Sequence, residues 1–111
     1  MRAEPLAHLR QVDGVVGSFT CAETGQLLAS DMPERYSLAA LESTAARVTN
    51  LLDTIQDAVD ECQSLRLSFA EHLLFVRRYR RGLLCVLTRG ALDRPLLQAA
   101  EEAVIAELLS P

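Results

Sequence analysis

The chain has no lysine and no tryptophan, and it spends only five glycines, four prolines, three cysteines and two histidines on 111 residues. Each shortage excludes something. Cys21, Cys62 and Cys85 are odd in number and widely spaced, so neither a disulfide framework nor a zinc motif fits. His8 and His72 cannot supply a metal pair or a catalytic triad, and no nucleophile elbow is present. With no GxxxxGK[ST] and no GxGxxG after a strand, the chain is not expected to bind nucleotide by itself. No enzyme active site, metal or cofactor is expected. The opening MRAEPLAHLRQ lacks the apolar core of a secretory leader, and no run reaches transmembrane length. A cytoplasmic location without membrane insertion is the expectation. All eleven cationic side chains are arginine, which reads as compositional bias, and the net charge of −4 argues against general nucleic-acid binding.

What is present is a well-patterned globular chain, half of it hydrophobic and long enough for one domain spanning residues 1–111. The spacing of Leu6, Leu9 and Val12 predicts a short helix over 4–12, ended by the Asp13-Gly14 turn. A strand over Val15 to Cys21, a turn closing on Gly25 and a second strand over Gln26 to Ser30 make a hairpin. Asp31-Met32-Pro33-Glu34 breaks it. Ser37 is a candidate cap for a helix reaching Cys62, whose Leu38, Leu41, Ala45, Val48, Leu52, Ile55, Val59 and Cys62 alternate at spacings of three and four. Leu51, Ala40 and Ala58 widen that stripe on one side, enough to touch a sheet and a neighbouring helix.

Three strands follow, over 65–70, 73–79 and 83–88, joined by turns too short for anything but antiparallel hairpins. The runs LLFV and LLCVL imply strands buried on both faces. A last helix starts at the cap Asp93 with Pro95 in its first turn, and its Glu101 and Glu102 are expected to face outward. The order is α-β-β-α-β-β-β-α. It predicts an α/β/α three-layer sandwich (α+β), with a five-stranded antiparallel sheet between the long helix and the two terminal ones.

The Asp13-Gly14-Val15-Val16-Gly17 turn and strand, the Gly25-Gln26-Leu27-Leu28-Ala29 strand, the 37–62 helix and the three closing strands resemble the roadblock (dynein light-chain) family over nearly the whole chain. The fold implied is roadblock/profilin-like. The resemblance implies a dimeric platform: a dynein cargo adaptor, a scaffold for small GTPases or, closest in style, a bacterial gliding-motility regulator acting on a Ras-like GTPase. The expected function is a non-catalytic homodimeric regulatory or scaffold module for a Ras-like GTPase or signalling complex, with a possible accessory role in GTPase activation.

The strand over 65–70 should lie at a sheet edge, with no proline and one charge, Arg66. Such an edge invites pairing with its copy. Leu51, Ala58, Leu65, Leu67 and Phe69 are the expected dimer interface. Thr49, Asp53, Gln56 and Asp60 are the expected partner platform, on an acidic helix face. Two alternatives stand beside this reading. One is a thiol-based or small-molecule-sensing domain using Cys21, Cys62 or Cys85. The other is nucleic-acid or anionic-lipid binding through Arg77, Arg78, Arg80 and Arg81, otherwise solvated charges at a hairpin.

Overall fold

A computed structural model of the chain describes residues 4–58, 64–69, 71–90 and 93–110, with the side chains of 56–58 and 69 outside that description. Helix α1 (Glu4–Ala7) tightens at once into a 3-10 turn, His8–Gln11, so the single helix expected over 4–12 is two short pieces. Strands β1 (Val15–Cys21) and β2 (Leu27–Asp31) form the first hairpin. Helix α2 (Leu38–Ala58), strands β3 (Ser64–Phe69), β4 (His72–Tyr79) and β5 (Gly82–Arg89), and helix α3 (Arg94–Leu108) complete the fold. β2 runs one residue past the predicted stop and takes in Asp31, whose carboxylate is held 2.9 Å from the Arg10 guanidinium.

The sheet order is β2-β1-β5-β4-β3, every pair antiparallel. The three hairpins account for β1–β2 and β3–β4–β5, and α2 carries the chain from one sheet edge to the other. Period-two geometry sorts the apolar runs between two cores. Leu74, Val76, Leu83 and Cys85 join Phe19 and Cys21 under Leu41, Ala45, Val48 and Leu52 of α2. Phe75, Tyr79, Leu84 and Val86 face the other way, against Leu6 and Leu9 of the first helical segment and Leu97, Val104 and Leu108 of α3. The three-layer prediction holds for this reason: β4 and β5 are apolar on both sides because both sides are covered.

Both long helices start as their caps dictate. Ser37 Oγ accepts from the Ala40 N–H at 3.1 Å, and Asp93 Oδ1 accepts from the Leu96 N–H at 3.0 Å. Between β4 and β5, Gly82 holds φ at +152°, and a Cβ there would overlap the Cys21 carbonyl oxygen of β1. Only glycine lets this turn close against the neighbouring strand.

Candidate functional site

Strand β3 is hydrogen-bonded to β4 alone and forms one margin of the sheet. Its side chains alternate. Leu65 and Leu67 are half-buried against the α2 core, whereas Ser64, Arg66 and Ser68 are exposed on the α3 side. The backbone of Phe69 continues the pairing, opposite His72. The edge is therefore as apolar on its α2 side as the sequence suggests, and it carries no proline.

Helix α2 lies on the sheet through Leu41, Ala45, Val48 and Leu52. At about 100° per residue, Thr49 stands about 80° to one side of the Leu41 line and Leu51 about 80° to the other. The Thr49 flank meets the β1–β2 turn, where Gly25, at φ +94°, leaves room for Thr49 Oγ1 and the Ala46 backbone. The Leu51 flank is the opposite one. Thr44, on that side, lines a cleft with Phe19 of β1, Met32, Tyr36, and His72 and Leu74 of β4. Leu51 is half-buried on this flank. Ala40, expected to widen the buried stripe, is exposed.

The acidic platform needs correcting at one position. Thr49 does not face outward: it is 6% exposed, and its hydroxyl donates to the carbonyls of Ala45 and Ala46 at 3.1 and 2.9 Å. Asp53, one turn on, is exposed but lies on the same flank, about 120° from the Leu41 line and away from Leu51. The side chains of Gln56 and Ala58, and all of Asp60, fall outside the described residues.

The arginines of the β4–β5 hairpin are not simply solvated. Arg78 pairs with Glu23 at 2.7 Å, and Arg81 donates to the Leu108 carbonyl at 3.3 Å. Arg77 reaches across to α3, 3.6 Å from Glu101 and 3.2 Å from Glu102. Glu101, expected outward, is 7% exposed. Burial pushes its carboxyl above the usual glutamate range, only partly offset by Arg77. The sequence held a signal for this. Glu101 occupies the fourth place after Leu97 and the third before Val104, squarely on the apolar stripe of α3.

The thiols of Cys21 and Cys85 are both fully buried and share a hydrogen bond, which together with burial holds the Cys85 thiol well above its ordinary range. Cys62 lies outside the described residues. His8 stands 3.6 Å from Glu107 at the surface, and His72, placed by sequence in a turn, is the half-buried first residue of β4. Among the described residues, no group of three His, Cys, Asp or Glu side chains is gathered to hold a metal, and no helix is long and apolar enough to cross a membrane.

No family model matches the sequence, and no curated protein matches it either. Solved structures do match in shape. A Roadblock/LC7 domain from Streptomyces avermitilis superposes with a TM-score of 0.84 at 14% identity, over 96% of this chain and 93% of that one. Myxococcus xanthus MglB gives 0.76 at 16% identity, over 95% and 91%. The gliding protein MglB of Thermus thermophilus gives 0.74 at 16% identity, over 95% and 85%. With the element order, the two-sided core and the β3 margin as described, this chain has the roadblock/LC7 fold.

Proposed function

We propose that this protein is a non-catalytic regulatory or scaffold module that works as a homodimer and docks a Ras-like small GTPase or a signalling complex built on one. The observation that carries the reading is the β3 margin. It is a proline-free sheet edge with Leu65 and Leu67 on its α2 side, and Leu51 is half-buried on the flank of α2 opposite the β1–β2 turn. Pairing β3 with its copy satisfies the edge and brings the two α2 helices together, in one closed two-fold contact. Leu51, Ala58, Leu65, Leu67 and Phe69 form that interface. The fold shared with MglB, one example of which is named a gliding protein, supports a regulatory role over a catalytic one.

The GTPase docks on the acidic flank of α2 at Asp53, Gln56 and Asp60, with buried Thr49 supporting the helix behind them. Two measurements test this. Wild type is dimeric at micromolar concentration by light scattering, and Leu67→Asp is monomeric, because a charge buried at the joint is costly. Purified Ras-like GTPases of the same genome, loaded with GDP or a GTP analogue, are then titrated against wild type and Asp53→Lys/Asp60→Lys. The variant stays folded and dimeric and loses the partner. A monomeric wild type refutes the dimer, and unchanged binding by the variant moves the docking site off α2.

A further inference from the structure

Helix α3 covers β4 and β5 but not β3. Its contacts run to Phe75, Arg77 and Tyr79 of β4 and to Leu84 and Val86 of β5. Beside it, the exposed face of β3 is the floor of a groove of about 480 Å³, lined by Ser64, Arg66, Arg77, Arg94, Gln98 and Glu101. Its charge is lopsided. Arg77 is committed to Glu101 and Glu102. Arg66 is exposed and has no acidic partner among the described residues. Arg94 lies over the Phe75 ring, 5.8 Å from its centre, and has no carboxylate within 4.0 Å among the described residues. Arg66 and Arg94 of this groove therefore carry no ion pair among the described residues, in a chain of net charge −4.

Joining two copies through β3, a step that rests on the dimer proposed above, turns this groove into a trough. Strands lie about 4.8 Å apart, and α3 packs on both β4 and β5, so its axis is taken midway between them. The axes of the two α3 helices are then four strand spacings apart, about 19 Å. One more helix of about 10 Å diameter fits between them, at ordinary helix-packing distance from each. The floor brings Ser64 and Arg66 from each copy beside the Phe75 ring, and the walls bring Arg94 and Gln98. Four arginines without an ion pair, two from each copy, face one slot.

We infer that the α3 side of the dimer is a second docking site, distinct from the acidic flank of α2, which takes one acidic helix of a partner protein across the two-fold axis. The α2 flank carries aspartates and the trough carries arginines on the opposite face, so one dimer holds two partners of opposite charge and joins them.

The test uses a labelled helical peptide of about 20 residues. It is built of Glu and Ala, and a control peptide has Lys in place of every Glu. Anisotropy is read at low ionic strength, beside sedimentation equilibrium. The Glu peptide binds at one per dimer, the Lys peptide does not, and Arg94→Glu, placed on α3 and away from β3, remains dimeric and binds about tenfold more weakly or worse. Arg66→Glu with Arg94→Glu abolishes binding. A dimeric wild type that ignores the Glu peptide, or an Arg94→Glu variant that binds like wild type, overturns the trough and leaves the dimer standing. A monomeric wild type overturns the dimer and the trough with it. Single-stranded oligonucleotide binding as tightly as the peptide, through the same two arginines, overturns the assignment to a protein partner.

Discussion

Removing Arg77 should cost this fold more than removing Glu101, although the two form one pair. The Glu101 side chain is 9% exposed and has one cation within 4.0 Å among the described residues, Arg77 at 3.6 Å. Arg77 is 26% exposed and has a second carboxylate, Glu102, at 3.2 Å. Arg77→Met therefore strands a buried negative charge. Breaking a fully buried pair this way costs about 3–5 kcal/mol, and the partial exposure of Arg77 brings the expectation down to about 2–3 kcal/mol. Glu101→Gln removes the charge that needed compensation, keeps the shape and leaves Arg77 paired, so about 1 kcal/mol or less is expected. The double variant should lose less than the two single losses added together, by about 1 kcal/mol or more. Urea unfolding of the four proteins at neutral pH measures all of this.

The same cycle has a pH signature. Burial raises the pKa of Glu101 in the folded state, so protonation favours folding. Its contribution is full below the ordinary glutamate value of about 4.3 and is lost as pH rises through the folded value. Arg77→Met raises that folded value further, so its deficit should narrow as pH falls from about 7 toward 5. Equal losses for the two single variants, or a deficit that widens on acidification, would refute the account of Arg77 as the counter-charge that lets α3 bury a carboxylate.

Gly82→Ala is expected to destabilise by about 2 kcal/mol or more, since the new Cβ meets the Cys21 carbonyl at a φ that side chains rarely adopt; a near-neutral urea midpoint contradicts the close approach of the turn to β1. In a Cys62→Ser background, thiol titration of the native protein should find Cys21 and Cys85 unreactive until it unfolds, with rates that follow denaturant. Rapid modification of either thiol in the folded protein would favour the thiol-sensing alternative.

The sheet was legible because its determinants are local. Asp13-Gly14, Gly25 and Arg81-Gly82 punctuate the hairpins, and the runs LLFV and LLCVL announce coverage on both faces before any helix is placed. The helix caps were legible for the same reason, as Ser37 and Asp93 act within one turn of themselves. The errors share a different cause. Polarity alone points Thr49 and Glu101 outward, yet both fall within the helical rhythm of apolar neighbours. A hydroxyl can be buried by donating to its own helix, and a carboxylate can be buried by an arginine that arrives from another element. The second of these is a long-range fact that neither segment encodes alone. The groove beside α3 was illegible for the same reason: Arg66 and Arg94 stand far apart in sequence, and only the absence of a helix over β3 brings them to one surface.

The uncovered face of β3 also bears on the dimer proposed above. Charge at exposed strand positions discourages edge pairing, and β3 has one such charge, Arg66, on the side away from α2, while Leu65 and Leu67 pack against the α2 core. The edge is therefore undefended in the direction of pairing and charged only toward the trough. In the dimer proposed above, pairing through β3 would leave this arginine in the open and double it about the two-fold axis, so one six-residue strand would supply both the joint and the charge of the surface beside it.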